Sequence, residues 1–356
     1  MLARKIVFEQ FRNIERQTVT LTEGVNILCG DNAQGKTNAL EGIFLFAQGR
    51  SFRTAKEREF LREGERFARL TLDYYGANRE QCAQMVFQKN GRKSVYRNRV
   101  PMRKMSEFIG SFRAVVFCPD HLSLVKEGPA MRRRFLDGAI SQLSPSYLRA
   151  MQTYSALLVR RNRLLGQYPR NEQTLGATLD VIDAQMADAG QIICTERAEY
   201  TEKISESARR FFAEMTGGAE RPGFVYRQPR TAEELLAQFA ENREKDLRMG
   251  TTLAGVHKDD IFITLNEKDA RAFASQGQQR SLAIAIKLAE TEISQSVTGE
   301  RPVLLLDDVL SELDEGRKNY ILTGLSGGQV ILTACEPELF AGLSGNLIKV
   351  KAGRFE

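Results

Sequence analysis

The fold is decided by one stretch of eight residues, Gly30-Asp31-Asn32-Ala33-Gln34-Gly35-Lys36-Thr37. It matches the pattern G-x-x-x-x-G-K-[ST], with a short apolar run before it and apolar residues at helical spacing after it. Glycines let such a loop wrap closely around phosphates, and the N–H groups at the helix start donate to anionic oxygens. We expect Lys36 to neutralise the β- and γ-phosphates and the Thr37 hydroxyl to bind Mg²⁺. The stretch therefore predicts a nucleoside triphosphate site.

A second motif is an apolar strand that ends in acid, Val303-Leu304-Leu305-Leu306-Asp307-Asp308. Four apolar residues place this strand in the centre of a parallel sheet, and Asp307 emerges at the carboxyl end, where α/β sheets bind ligands. A carboxylate at that point can hold Mg²⁺ through its water shell. Asp308 can orient or polarise the attacking water, or it can simply cap a helix or loop.

A third motif precedes a predicted helix and reads Ser275-Gln276-Gly277-Gln278-Gln279-Arg280. Locally it forms a capping box, in which Ser275 accepts from an early N–H while Gln278 reaches back. Lying about thirty residues before an acidic strand end, an S-x-G-Q turn is also the signature of ABC-type ATPases. In those proteins the serine, the glycine N–H and the helix dipole face the γ-phosphate of an ATP held by a second subunit. Ser311 and Asp314, just after the acidic pair, fit the loop that crosses such a dimer interface.

The motifs lie on both sides of a long helical segment. Residues 1–124 and 251–356 show strand patterns with short helices, whereas 125–250 show helical spacing almost throughout. We therefore predict an α/β fold: an ABC-type P-loop ATPase head built from 1–124 plus 251–356, with an inserted helical arm domain over 125–250. Hydrophobic residues at heptad-like spacing form a stripe along the arm, and such a stripe predicts a second helix packed alongside. Its members are Leu175, Leu179, Ile182, Met186, Ala189, Ile193, Tyr200, Ile204, Ala208 and Phe211.

Composition excludes several classes of protein. The chain has 356 residues, 42% of them hydrophobic and 27% charged, with a net charge of +6, which is ordinary for a folded soluble protein. Five cysteines lie far apart without a C-x-x-C pair, so neither a disulfide framework nor a zinc site is expected. Two histidines make a multi-histidine metalloenzyme improbable. No run approaches the roughly 18 apolar residues of a membrane span, and no signal peptide is evident. We expect a cytoplasmic protein with no membrane partner.

From end to end, the chain resembles the RecF family of bacterial recombination mediators. The resemblance is strongest at Gly255-Val256-His257-Lys258-Asp259-Asp260 leading to the Ser275 motif. It also covers residues 11–13, the phosphate loop, 51–54, 119–137 and 142–145. The chain departs from the family pattern at His121, where an acid is usual, and at Val256, where proline is usual. The switch histidine of ABC transporters has no counterpart in Thr333-Ala334-Cys335-Glu336, where RecF-like chains tend to have threonines.

The resemblance implies a Rad50- or SMC-like head without the long coiled coil. ATP would join two copies into a homodimer, each signature loop completing the site of the other copy, with slow hydrolysis as a timer. The closed dimer would hold DNA, both duplex and single/double-strand junctions, and would work with RecR and RecO to load recombinase at gaps. Arg12 and Asn13 would lie near the nucleotide base, although a solvated loop suits them as well.

Some alternatives remain open on the sequence alone. The chain could be the nucleotide-binding subunit of a transporter, although the helical insert and the missing histidine argue against it. A small-molecule kinase or GTPase, or a non-catalytic clamp, is also compatible with a phosphate loop. Each basic cluster is either a DNA contact or a solvated surface, and Arg132 to Arg134 can equally brace the arm. The clusters comprise Arg92-Lys93, Arg97, Arg99, Arg103-Lys104, Arg132-Arg133-Arg134, Arg160-Arg161 and Arg163.

Overall fold

The computed structural model describes residues 1–167, 172–227, 229–324, 327–335 and 345–356. In these residues the strands are β1 (Leu2–Phe11), β2 (Ile14–Thr20), β3 (Val25–Cys29), β4 (Phe67–Gly76), β5 (Arg79–Gln88), β6 (Lys93–Arg97), β7 (Val100–Pro101), β8 (Ala114–Phe117), β9 (Pro222–Tyr226), β10 (Ile261–Leu265), β11 (Lys268–Asp269), β12 (Val303–Leu306), β13 (Val330–Ala334), β14 (Gly345–Lys351) and β15 (Arg354–Phe355). The helices are α1 (Lys36–Gln48), α2 (Pro119–Leu122), α3 (Pro129–Ser141), α4 (Pro145–Leu165), α5 (Glu172–Thr216), α6 (Ala232–Met249), α7 (Ala270–Phe273), α8 (Gln276–Thr298) and α9 (Glu315–Gly324).

Two compact units share the chain. One comprises Met1–Ser123 with Ala283–Glu356, and the other is Leu124–Leu282. The first limit falls at 123, where the sequence predicts 124, but the second falls at 282 instead of 250. The reason is that β10, which follows residue 250, pairs with β9 of the second unit, and β11 pairs with β10 in the same sheet. The limits of the functional domains stay a prediction.

The first unit contains an antiparallel and a mainly parallel sheet. The antiparallel sheet has the order β2-β1-β4-β5-β6-β7, and the other has the order β15-β14-β3-β13-β12-β8. Alternate residues of β4 and β5 are buried, because successive side chains of a strand point to opposite faces. One hydrophobic cluster joins both sheets to α1, with Phe8, Leu40 and Leu305 among its members.

The parallel sheet positions the predicted nucleotide site. β3 leads into residues 30–37, β12 leads into Asp307, and β13 lies between these two strands. Since Leu306 pairs with Leu332, Thr333 comes level with Asp307 at the carboxyl ends of the strands. All the residues of β12 are buried, as the apolar run predicts.

The second unit is a helical assembly with a three-stranded sheet. The 45-residue helix α5 carries the predicted stripe, and every member from Leu175 to Ala208 is buried. At its end Phe212 is buried and Phe211 only partly, so the stripe shifts by one residue. The expectation of a nearly all-helical segment is wrong at β9. Gly217 and Gly218 end α5 with left-handed backbone, and Pro222 opens a strand that pairs with β10.

Candidate nucleotide-binding site

The phosphate loop closes around the Lys36 ammonium group. Lys36 Nζ donates to the carbonyls of Gly30 and Asp31, the latter at 2.9 Å, and lies 3.3 Å from Cys335 Sγ. Gly35 has a left-handed φ of 116°, and a Cβ placed there would lie 2.9 Å from Asn13 Oδ1. The helix α1 begins immediately afterwards, so its first N–H groups have no acceptor within the helix. This is the arrangement that receives phosphate oxygens.

Thr37 and Asp307 meet although 270 residues separate them in the chain. Thr37 Oγ1 donates to Asp307 Oδ1 at 2.7 Å, and Thr333 Oγ1 lies 3.3 Å from the same oxygen. Burial raises the pKa of the Asp307 carboxyl above its ordinary value, while the two hydroxyl hydrogen bonds lower it. The acidic strand end and the phosphate loop therefore form one site.

The residues present fit a magnesium ion that phosphates and waters would complete. A hydroxyl and a carboxylate oxygen are ligands of the kind that Mg²⁺ prefers, and this ion usually keeps several waters. Among the residues that the structure describes, no three or more His, Cys, Asp or Glu side chains form a metal-binding group. An ion held by Thr37 and Asp307 would therefore depend on the nucleotide for its remaining ligands.

Asp308 has an exposed side chain and a strained backbone. Its φ of 50° is left-handed, which is uncommon for a residue with a Cβ. The Asp308 N–H donates to Thr333 Oγ1 at 2.9 Å, and its carbonyl accepts from Ser311 Oγ at 2.7 Å. The start of α9 is capped instead by Asp314, which accepts from Arg317 N–H at 3.0 Å. Asp308 thus does not serve as the cap of that helix.

A cavity of about 420 Å³ borders Asp308. Its lining includes Asn32 from the phosphate loop, Asp308, Ser311 from the predicted interface loop, Thr333 and Cys335. Ser311 and Asp314 are both exposed. A water molecule or a group from another molecule can reach Asp308 from this cavity.

Arg12 and Asn13 contact α1 and the phosphate loop. The Arg12 guanidinium donates to both carboxylate oxygens of the fully buried Glu41, at 2.9 and 2.7 Å, and covers the Phe60 ring. Asn13 Nδ2 donates to the Gln34 carbonyl at 3.2 Å. Arg12 therefore braces α1, and Asn13 supports the loop itself. Whether either residue approaches a base stays a prediction.

Sequence reasoning missed the residues that hold the site together from neighbouring strands and helices. Glu41 interrupts an otherwise apolar helix face, and that interruption was a readable signal. Thr333 gave no such signal, because its role depends on the register between β12 and β13. Glu336 of the same segment lies outside the described residues.

The signature segment belongs to the second unit. The capping box is present: Ser275 N–H donates to Gln278 Oε1 at 2.6 Å, and Gln278 N–H donates to Ser275 Oγ at 3.3 Å. Gln278 Nε2 also donates to Glu220. Ser275 and Gln276 are exposed, and Gly277 is half-buried. Since the Ser275 hydroxyl only accepts in this box, its proton remains available for an outside acceptor. The role of residues 275–278 toward a second nucleotide stays a prediction.

The phosphate loop follows β3, the acidic residues follow β12 of the same sheet, and a helical insert separates the two motifs in the chain. These features define an ABC-type ATPase head of the SMC-like class. Residues 2–354 match the family model described as the RecF/RecN/SMC N terminal domain. The SMC head domain with an extended coiled coil from Pyrococcus furiosus is similar in fold, with a TM-score of 0.59 and 15% identity, covering 100% of this chain and 96% of that one.

Closer relatives define the family within this class. A DNA replication and repair protein RecF from Acetivibrio thermocellus is 37% identical, over 99% of each chain. Another from Lachnospira eligens is 36% identical, over 98% of this chain and 97% of the relative. A solved structure of the recombination mediator protein RecF with ATP in the RecFOR pathway has a TM-score of 0.90 and 33% identity, covering 99% of this chain and 98% of that one. This chain belongs to the RecF family.

Membership in this family rules out the transporter-subunit alternative. Across the described ranges no helix is both long enough and apolar enough to cross a membrane.

Proposed function

We propose that this chain is an ATP-dependent DNA-binding protein of recombinational repair and replication restart, acting in the cytoplasm. ATP would join two heads, and slow Mg²⁺-dependent hydrolysis would release them. Support comes from its membership in a family whose curated members are DNA replication and repair proteins and from a solved relative that contains ATP. The observation that carries the proposal is the 2.7 Å hydrogen bond between Thr37 and Asp307, which unites the two nucleotide motifs.

The first unit supplies the groups that hold and cleave the triphosphate. Lys36, released from the carbonyls of Gly30 and Asp31, would neutralise the terminal phosphates, and the N–H groups of residues 30–37 would bind their oxygens. A magnesium ion held by Thr37 and Asp307 would offset charge as it develops on the phosphates. Asp308, exposed at the cavity, would orient the attacking water.

The second copy of the chain would complete the site. Ser275, Gln276, Gly277 and Gln278 stand at the start of the 23-residue helix α8, whose N-terminal end favours an anion. The Ser275 hydroxyl proton is available for a γ-phosphate oxygen. Ser311 and Asp314, exposed beside the cavity, would line the same interface. Binding of ATP would thereby produce a homodimer.

The basic side chains divide into internal braces and surface candidates. Arg161 is fully buried between Asp183 and Asp246, so neither alternative left open by the sequence, a DNA contact or a solvated surface, holds for it. Arg132 pairs with Asp260 at 2.7 Å and Arg133 donates to the Asp259 carbonyl, which favours the bracing alternative for both. The exposed candidates that remain for DNA phosphates are Arg92, Arg99, Arg103, Lys104, Arg134, Arg160 and Arg163.

RecR- and RecO-like mediators are the partners we propose beside DNA. Support comes from the solved ATP-containing relative, a recombination mediator protein of the RecFOR pathway that matches this chain over nearly its whole length.

The test is DNA binding by the full chain with ATP, a non-hydrolysable analogue or ADP. Duplex, single-stranded and gapped substrates would be compared across salt concentrations, with Lys36→Ala as the variant that cannot hold the triphosphate. We expect tight binding, with a steep salt dependence, only with ATP or the analogue. Equal DNA affinity in all three nucleotide states would contradict the proposal.

A further inference from the structure

One buried hydroxyl connects the two acids of the nucleotide site. Thr333, at the carboxyl end of β13, is 6% exposed. Its Oγ1 accepts from the Asp308 N–H at 2.9 Å and lies 3.3 Å from Asp307 Oδ1. A hydroxyl has one proton and two lone pairs, so it can accept from the N–H and donate to the carboxylate at the same time.

Asp308 needs such a partner because its backbone is strained. A φ of 50° in a residue with a Cβ persists only where the surroundings hold it. Here the N–H is held by Thr333 and the carbonyl by Ser311, one on each side of the strained residue. Since φ sets the direction of the Cα–Cβ bond relative to β12, these bonds also set where the exposed carboxylate points.

Thr333 is the polar residue of β13. The other residues of this strand, Val330, Ile331, Leu332 and Ala334, are apolar. Thr333 is therefore the polar side chain that β13 brings to the acidic pair.

We propose that Thr333 is a positioning residue for ATP hydrolysis: it fixes Asp308 by accepting from its N–H and Asp307 by donating to its carboxylate. The inference rests on the proposed role of Asp308 in orienting water. It predicts that loss of the hydroxyl leaves nucleotide binding intact, because Lys36 and the phosphate loop bind the phosphates and Thr37 still holds Asp307 through its shorter, 2.7 Å bond. Hydrolysis should slow, because the Asp308 carboxylate is no longer held in position.

The matched variants are Thr333→Val, which keeps the shape and removes the hydroxyl, and Thr333→Ser, which keeps the hydroxyl. Thr333→Ala provides a smaller replacement where valine interferes with folding. In steady-state ATP turnover by the full chain, we expect Thr333→Val and Thr333→Ala to lower kcat roughly 10- to 100-fold with little change in KM. Thr333→Ser should retain turnover close to that of the unaltered chain.

The variant Asp308→Asn tests the proposed catalytic role of Asp308 separately from the positioning role of Thr333. If Asp308→Asn and Thr333→Val both lose turnover while Thr333→Ser retains it, the positioning role is supported. If Asp308→Asn is inactive but Thr333→Val and Thr333→Ala keep full kcat, the inference fails and the proposed function stands. If Asp308→Asn turns over ATP normally, the proposed catalytic role of Asp308 fails and the inference falls with it. A parallel rise in KM and fall in kcat for Thr333→Val and Thr333→Ala would show a merely structural role.

Discussion

Two opposing effects act on the charge of the buried Asp307 carboxyl. Burial disfavours its charge, whereas hydroxyl groups of Thr37 and Thr333 favour it. A buried carboxylate is costly; the charge of Arg53 offsets part of that cost, and a bound magnesium ion would relieve more of it. In the proposed mechanism, the residue that reduces the stability of the empty head would be the one that holds the metal in the loaded head.

Asp307→Asn should separate these two effects. The amide keeps the shape and removes the buried charge, so the thermal midpoint should stay equal or rise, while Mg²⁺-dependent turnover falls about 100-fold or more. Asp73→Asn, the same change at a surface salt bridge with Lys5, is the matched control. Turnover is measured at saturating Mg²⁺, and nucleotide affinity is measured separately in EDTA. Unchanged turnover in Asp307→Asn would remove this residue from the metal site.

His257 makes a second residue-scale prediction, this one about pH. Burial lowers the pKa of its imidazole below the ordinary 6.5; Arg133 and Lys258 act in the same direction, and the Thr252 carbonyl and Asp259 oppose them. Nε2 donates to the Thr252 carbonyl, so Nδ1 must stay unprotonated to accept from the Tyr154 hydroxyl. Near pH 6.5, the His257 imidazole therefore binds a proton more readily in the unfolded chain than in the folded unit.

The free energy of unfolding should accordingly fall as the pH drops from 7.5 to 5.5. Above pH 7 the histidine is neutral in both states and contributes no pH dependence, and the loss begins as the unfolded chain protonates. Urea unfolding at a series of pH values, with His257→Gln alongside, isolates this contribution. An equally steep decline in the variant would assign the pH dependence to other groups.

At the scale of helices, a buried ion cluster holds α4, α5 and α6 together. Arg161 is fully buried; it bonds Asp183 and Asp246 at 2.6 Å each and the Thr252 hydroxyl at 2.8 Å. Each carboxylate comes from a different helix. Removing the arginine would leave two buried charges without their shared cation.

Arg161→Met should therefore cost about 3–5 kcal/mol of unfolding free energy. Arg243→Met is the matched control, because Arg243 also bonds Asp183, at 2.7 Å, but its side chain is 26% exposed. That change should cost about 1 kcal/mol or less. Chemical denaturation of both variants measures the difference. Similar costs would mean that burial does not set the strength of this cluster.

The sequence predicts some helices and strands better than others. β3, α1 and β12 follow from apolar runs and glycines, because a buried strand and an amphipathic helix each have a characteristic period. Asn90-Gly91, a dipeptide typical of tight turns, lies between β5 and β6, which pair as an antiparallel hairpin. β9 was missed, since a five-residue strand between long helices has too little pattern of its own. Arg161 was misread as surface because charge in a helix normally indicates solvent, and only packing reveals its two partners.

In the site as well, residues of short motifs can be predicted from the sequence, whereas the roles of residues with partners distant in the chain cannot. The phosphate loop, Asp307 and the Ser275 capping box could be read directly, because each is a short motif with a fixed chemical need. The role of Thr333 could not be assigned, since the partners of its hydroxyl follow another strand at a position set by sheet register. Glu41 stands out as an acid among apolar residues, but its partner Arg12 is set by tertiary packing.

For the whole molecule, the proposal to be tested is that two copies of the chain complete one nucleotide site. The chain covers its relatives nearly end to end, so the head motifs and the helical insert occur together as in the RecF family. The signature segment starts α8 and the phosphate loop starts α1, and both are N-terminal ends that favour anions. The central claim is that ATP bound to one copy is completed by Ser275 of another.

Sedimentation velocity with ATP or its non-hydrolysable analogue tests this claim most directly. The unaltered chain should dimerise only with triphosphate, and Ser275→Arg should stay monomeric while still binding ATP. Ser144→Arg, which removes the N-cap of α4 in the same way, controls for the lost cap and should dimerise normally. A Ser275→Arg chain that dimerises with ATP like the unaltered one, or an unaltered chain that never dimerises, would contradict the account.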